Sequence, residues 1–253
     1  MASLTLSLSK GRTMRAGYHV ALTCLALRCK RAQIAPMRID IFSDVICPWC
    51  YIGKKRLEKA LAIRPPADLV VQWRAFQLNP DMPSGGMDRR QYLAAKFGGP
   101  EAAQRIYDNL RAAGAKERIP FAFERIPRTP NTVDAHRLIR FGMRGGRQDE
   151  TVSALFQAYF IDGRDIGDAA ALARIAAEAG LDEKAAADYL AGAEDTEQVL
   201  AEDVYARKLG ICGVPCFIFD GKYAVSGAQE PEAFLPVFDL LAKGGEEQEA
   251  AQA

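Results

Sequence analysis

A Cys-x-x-Cys pair, Cys47 and Cys50, lies where a predicted strand passes into a predicted helix. Residues 38–42 are typical of a strand, and residues 51–61 place apolar side chains at helical spacing. The start of a helix offers unpaired N–H groups and the positive end of the helix dipole. We therefore expect the thiolate of Cys47 to be stabilised and its sulfur to be exposed. Cys50, about one helical turn later, is placed to attack a mixed disulfide at Cys47, so the pair predicts catalytic thiol–disulfide exchange.

The elements around this pair predict an α/β fold whose two halves are separated in sequence. Segment 37–80 contains the first strand, the helix and a second strand at 69–76, a unit that implies a right-handed parallel crossover. Segment 211–243 contains two strands joined by a two-residue turn, Asp220-Gly221, and a final helix at 231–241. The order βαβ…ββα is that of a thioredoxin-like fold.

A long helical stretch separates these halves. Apolar residues at helical spacing dominate residues 81–210 and predict an all-helical insertion between the βαβ and ββα halves. Within this stretch Asp168 and Asp182 are expected to be the N-caps of two helices. The two ends of the chain are predicted to contribute nothing to the fold. They are an N-terminal extension, 1–36, expected to be disordered, and a polar tail, 244–253.

Composition excludes several classes of function. Lys and Arg total 33 against 32 Asp and Glu, so no overall charge favours nucleic acid or an anionic membrane. No apolar run approaches the roughly 18 residues that span a bilayer. The apolar patch 20–27 lacks a clear cleavage site for a signal peptide, so we expect a cytoplasmic protein, monomeric or homodimeric.

The tripeptide Gly213-Val214-Pro215 is the second informative motif. A proline just ahead of a buried strand is where a thioredoxin-type fold keeps a cis peptide bond, although an ordinary trans proline opening a strand is the simpler alternative. We predict that the Val214–Pro215 bond is cis and faces Cys47. The Val214 backbone would then be free to pair with an extended substrate.

Several segments together resemble the FrnE-like branch of the DsbA family, over roughly residues 37–241. The segments that carry the resemblance are 41–54, 130–138, 159–166, 213–217 and 223–229. Two features depart from the family pattern: Cys216 follows the proline where Thr or an apolar residue is more usual, and Cys212 adds a further thiol. The first 36 residues have no counterpart in the family.

The resemblance implies a dithiol–disulfide oxidoreductase, a reductase or isomerase acting on protein or small-molecule disulfides and thiols. No bound cofactor is expected, and glutathione or a dithiol reductant would serve as co-substrate. Besides the catalytic cysteines, we predict that Pro48, Trp49, Val214 and Pro215 contact the substrate, with His136 as a further candidate for this site. A neighbouring branch contains glutathione-dependent isomerases of small aromatic acids. A single hydroxyl commonly replaces the cysteine pair there, so the intact pair argues against that alternative.

His136 has two interpretations. It could project toward the sulfurs, favouring the thiolate or relaying a proton in the substrate site, or it could be a packed helix histidine with local hydrogen bonds.

Cys212 and Cys216 have three interpretations. They could be buried small apolar residues, a second redox pair, or half of a zinc site completed by Cys47 and Cys50. The zinc alternative would make the protein a binding module without catalysis. It is disfavoured because Pro48-Trp49 lacks the glycine and small polar residues usual in zinc knuckles, so no metal is predicted. Cys24 and Cys29 lie in the N-terminal extension and are given no role.

Overall fold

The computed structural model describes residues 36–66 and 68–250. The strands are β1 Met37–Ser43, β2 Leu69–Ala75, β3 Met87–Asp88, β4 Arg128–Thr129, β5 Cys216–Phe219 and β6 Tyr223–Ser226. The α-helices are α1 Pro48–Ile63, α2 Arg89–Phe97, α3 Pro100–Lys116, α4 Val133–Arg144, α5 Gln148–Phe160, α6 Ala169–Glu178, α7 Glu183–Ala191, α8 Thr196–Lys208 and α9 Leu235–Ala250. The predicted disorder of 1–36, with Cys24 and Cys29, falls almost wholly outside the described residues.

One four-stranded sheet joins the two halves of the chain, in the order β2-β1-β5-β6. β1 runs parallel to β2 and antiparallel to β5, so the predicted βαβ and ββα units share a single sheet. Phe42 near the end of β1 lies opposite Cys216 at the start of β5. The loop after β1 and the loop before β5 therefore meet at the same edge of the sheet.

Helices cover both faces of this sheet. On one face, Ile41 and Phe217 belong to the large apolar core with residues of α1, and Phe217 packs edge-on against Phe234 with ring centroids 5.1 Å apart. On the other face, Phe42 and Cys216 pack with residues of α8 and its flanks. α8 lies within the stretch predicted as an insertion, so that stretch also supplies a helix to the sheet.

α1 is held by buried charges as well as by apolar contacts. The ammonium of Lys54 is buried between Glu58 and Asp149, at 2.6 and 2.7 Å. The guanidinium of Arg56 donates to the buried carboxylate of Glu117 at 2.8 Å. Buried charges are costly unless paired, so these ion pairs fix the position of α1 against its neighbours.

Three details of the sequence prediction are wrong. The stretch 81–210 is not all-helical, because β3 and β4 pair within it as an antiparallel ribbon. The hairpin loop has three residues: Asp220 and Gly221 have positive φ, as expected, but Lys222 belongs to the loop and not to the strand. The last helix continues to Ala250, past the predicted end at Leu241, so most of the expected polar tail is helical. A 3-10 turn at Pro231–Ala233 precedes it.

The approach of α1 to the loop before β5 leaves no space for a side chain at Gly53. A Cβ atom there would lie 2.8 Å from Pro215 Cγ and 3.2 Å from Phe217 Cζ. Gly53→Ala should therefore destabilise the protein: overpacking costs about 1–3 kcal/mol, which exceeds the gain in helix propensity of about 1 kcal/mol. Urea unfolding measures the change in the free energy of unfolding.

Gly85→Ala is the matched control, because nothing lies within 4 Å of a Cβ at Gly85. The control should leave the free energy of unfolding almost unchanged. A Gly53→Ala protein as stable as the wild type would show that α1 and the Pro215 loop are not packed as described.

Candidate active site

Cys47 is the N-cap of α1, and Pro48 occupies the first helical position. Proline suits this position because its fixed φ is helical and its missing N–H would have no intrahelical partner. Cys50 follows in the first turn, where its N–H donates to the Cys47 carbonyl at 3.0 Å. The predicted placement of the pair at a helix start is thus confirmed. The expectation of an exposed Cys47 is wrong, because Cys47 is 4% exposed and Cys50 0%.

The loop before β5 covers the Cys47 sulfur. Cys47 Sγ lies 3.6 Å from the carbonyl oxygen of Val214, in hydrogen-bonding geometry for a sulfur. The Val214–Pro215 peptide bond is cis, and Pro215 packs against α1 at Gly53. Both parts of the prediction for this motif, a cis bond and a position facing Cys47, are confirmed.

Trp49 forms the exposed part of this region. Its side chain is 42% exposed, which is unusual for so large an apolar residue, and Pro48 and Val214 are half-buried beside the covered sulfur. The residues expected to contact substrate therefore surround Cys47, and an apolar ring faces solvent next to them.

The thiol of Cys50 is strongly biased toward its neutral form. Burial raises the pKa of Cys50 well above its ordinary value, and the adjacent Cys47 sulfur raises it further. The Ser43 hydroxyl and the Asp44 backbone lie close enough to lower the Cys50 pKa, but burial prevails. Cys50 thus needs help to lose its proton.

Asp44 is a site residue that the sequence reasoning did not single out. Its carboxylate is fully buried and accepts hydrogen bonds from the backbone N–H groups of Leu78, at 2.7 Å, and Ile46, at 3.4 Å. The Asp44 carbonyl also accepts from the Cys47 N–H at 3.0 Å. The signal available in the sequence was an acidic residue directly before the apolar pair Val45-Ile46 and the first cysteine. A carboxylate in such an apolar segment is buried only if it is hydrogen-bonded or paired.

His136 lies on α4 and faces Asp44. It is 3% exposed, and its Nε2 is 3.7 Å from Asp44 Oδ1, too far for a direct hydrogen bond. Among the described residues, no hydrogen bond joins His136 to a cysteine sulfur. The structure therefore places His136 beside the buried carboxylate of Asp44.

Cys212 and Cys216, before and after the Val214–Pro215 bond, lie in different surroundings. Cys216 is buried in the cluster around Phe42, on the α8 face of the sheet, whereas Cys47 and Cys50 belong to the core on the other face. Cys212 is exposed. Within residues 36–66 and 68–250, no group of three or more His, Cys, Asp or Glu is arranged to hold a metal ion.

Comparison with protein families identifies this arrangement. The model of the DSBA-like thioredoxin domain matches residues 38–238, which is most of the chain. The chain belongs to the DsbA-like family of thiol–disulfide oxidoreductases. The family explains why a strand–helix junction with two cysteines and a cis proline loop occur together.

Individual relatives agree with this assignment. The crystal structure of a probable DsbA oxidoreductase from Streptomyces coelicolor is 36% identical, with a TM-score of 0.74 over 82% of this chain and 90% of that chain. The uncharacterized protein YwbO of Bacillus subtilis is 26% identical over 78% of this chain and 94% of its own length. A 2-hydroxychromene-2-carboxylate isomerase is 18% identical, with a TM-score of 0.58 over 85% of this chain and 99% of that chain, and shares the fold.

No helix among the described residues is both long and apolar enough to cross a bilayer.

The raised pKa of Cys50 predicts how stability depends on pH. An unfolded thiol ionises near pH 8.5, whereas the folded protein holds Cys50 protonated, so the folded state binds more protons above that pH. The free energy of unfolding of the reduced protein should therefore fall as the pH rises above about 8.5. Urea unfolding between pH 7 and 10 in a dithiol reductant measures the slope.

Cys50→Ala should make this slope shallower. Cys216 has a pKa raised by burial in the same direction, so Cys216→Ala serves as the matched variant and some slope should remain in each single variant. An alkaline slope that is identical in the wild type and in Cys50→Ala would contradict the assigned state of Cys50.

Proposed function

We propose that the protein reduces or isomerises disulfides through Cys47 and Cys50. The Cys47 thiolate attacks a substrate disulfide, which forms a mixed disulfide and releases one substrate thiol. Cys50 then attacks Cys47 Sγ, which closes the Cys47–Cys50 disulfide and releases the second thiol. Two electrons pass to the substrate, and a thiol reductant returns them to the enzyme.

The observation that carries this proposal is the contact between Cys47 and the Val214 carbonyl at 3.6 Å. It supports a substrate site in which the Val214 backbone pairs with an extended chain while the sulfur meets the disulfide. Trp49 and Pro48 would contact the apolar flanks of such a substrate. Cys47 is the N-cap of α1 and lies at the positive end of the helix dipole, where no side chain caps the first turn.

The proposed direction is reduction or isomerisation in a reducing cytoplasm. Structural disulfides are rare there, so net oxidation would have little to act on. Glutathione or a dithiol is the proposed reductant, consistent with a small thiol reaching the partly covered Cys47. Because its motifs resemble those of the FrnE-like branch, we propose that the chain belongs to that branch of the family.

Substitution of each cysteine separates their roles. Cys47→Ser should abolish reduction of insulin disulfides with a dithiol donor, because the attacking sulfur is lost. Cys50→Ser should instead accumulate mixed disulfides, because nothing resolves them. Turbidity of precipitating insulin chains and mass spectrometry of the trapped adducts measure the two outcomes.

Cys212→Ser is the matched control, because Cys212 is exposed and lies in the loop before β5. It should retain insulin reduction at the wild-type rate. Full activity of Cys47→Ser would refute the assignment of the nucleophile.

Metal analysis tests the alternative of a zinc-binding module. Protein purified with its thiols reduced should carry well under one zinc per chain, because Cys216 faces a different apolar cluster from Cys47 and Cys50. Stoichiometric zinc, with unfolding on chelation, would favour the binding module over the enzyme.

A further inference from the structure

A small cavity lies between Ser43, at the end of β1, and His136 on α4. Its volume is ≈ 10 Å³, which is about the room that one water molecule needs. Its lining includes Ser43, Arg74, His136, Arg140 and Glu202. Arg74 and Glu202 are partly exposed, so the cavity leads toward solvent on their side.

Three buried polar atoms of residues that line this cavity have no hydrogen-bond partner within the described part of the chain. They are Ser43 Oγ, His136 Nε2 and Arg140 Nε, the last of which lies 3.4 Å from Asp195 Oδ1 in an ion pair. Leaving a buried donor or acceptor unsatisfied costs about 1–3 kcal/mol. A water held by two to four polar groups satisfies such atoms. Both the room and the partners for one ordered water are therefore present.

Ser43 connects the cavity to the reacting sulfurs. Its hydroxyl acts to lower the pKa of the neighbouring Cys50, and it has no other hydrogen-bond partner within the described residues. Ser43 ends β1, and the same strand end leads through Asp44 to Cys47. Ser43 is thus a neighbour of Cys50 and also lines the cavity that His136 lines.

One carboxylate faces His136 without an ion-pair partner from a Lys or Arg among the described residues. Asp44 faces it from the loop after β1, and within the part of the chain that the structure describes no Lys or Arg forms an ion pair with Asp44. Glu202 on α8 is neutralised by Arg74 on β2, at 3.2 Å, and by Arg140 on α4, at 2.8 Å. The uncompensated carboxylate next to the imidazole is therefore that of Asp44.

We propose that Ser43, a water in this cavity and His136 form a relay that takes the proton from Cys50 during resolution of the mixed disulfide. This inference rests on the proposed function and assigns how its second step is achieved. Asp44 stabilises the imidazolium that results. His136 acts through the water and Ser43, so it is a positioning residue and not a catalytic one.

The relay moves one proton from Cys50 to His136. The Cys50 S–H bond breaks, its proton passes to the Ser43 oxygen, and the Ser43 proton passes through the water to neutral His136. The Cys50 sulfur bonds to Cys47 Sγ, the bond from Cys47 to the substrate sulfur breaks, and the substrate leaves as a thiolate. That thiolate takes a proton from solvent, and His136 later returns its own to solvent past Glu202.

The resolution step can be timed with 5,5′-dithiobis(2-nitrobenzoate). In a full-length protein with Ser at Cys24, Cys29 and Cys212, attack by Cys47 releases one coloured thiolate and resolution by Cys50 releases a second. His136→Gln should slow the second release at pH 7 at least about 10-fold, since proton transfer of this kind contributes 10²–10⁴-fold. The first release should change less than about 2-fold, because His136 does not contact Cys47.

The pH profile distinguishes a relay from a packing role. In the wild type the second release should slow as acid protonates the imidazole, and His136→Gln should lose this inflection. Ser43→Ala should slow the second release in the same way, whereas Ser153→Ala should not, because the Ser153 hydroxyl bonds only to its own helix. A second release in His136→Gln with the rate and pH profile of the wild type would overturn the relay.

Two further outcomes remain informative. If the wild type releases no second thiolate, the proposed function fails and not only the relay. If His136→Gln does not fold, a high-resolution crystal structure of the wild type decides: a water bonded to both Ser43 Oγ and His136 Nε2 supports the relay, and a dry cavity refutes it.

Discussion

The close approach of α1 to the Val214–Pro215 loop is the contact on which the site depends. The pairing of Phe42 with Cys216 brings the end of β1 and the start of β5 to one edge of the sheet. The absence of a side chain at Gly53 then lets the helix lie against the proline ring. A sulfur at the helix start and a free backbone carbonyl meet only because both conditions hold, so the chemistry of the site follows from sheet topology and one glycine.

The two cysteine side chains of the pair differ in their surroundings. Cys47 sits at the helix terminus, covered by one loop but next to the exposed Trp49 ring, whereas Cys50 lies behind it with no exposed surface. Burial of the second sulfur raises its pKa and keeps it neutral, as the proposed mechanism requires before a mixed disulfide forms at Cys47. A thiol that stays protonated between turnovers is also protected from oxidants, since the thiolate is the reactive form.

The parts of the fold that the sequence predicted are those set by local patterns. The four strands of the main sheet, the N-caps at Asp168 and Asp182, and the Cys-x-x-Cys position each depend on neighbouring residues, and all are found close to their expected positions. The burial of Cys47 and the position of His136 beside Asp44 depend on what distant segments place beside them. Periodicity carries no information about such contacts, whereas the cis proline was predictable because its motif and chain order belong to a known fold.

The site is assembled from residues that leave the ribosome far apart in time. Cys47 and Val214 are separated by 167 positions. At synthesis rates of about 5–20 residues per second, the cover over Cys47 arrives roughly 8 to 35 s after the thiol itself. Throughout that interval the nascent chain carries a Cys-x-x-Cys pair without the loop that covers Cys47 and without β5 beside β1. The cellular thiol pool must keep this pair reduced, so the newly made protein depends on the same reducing chemistry in which we propose it works.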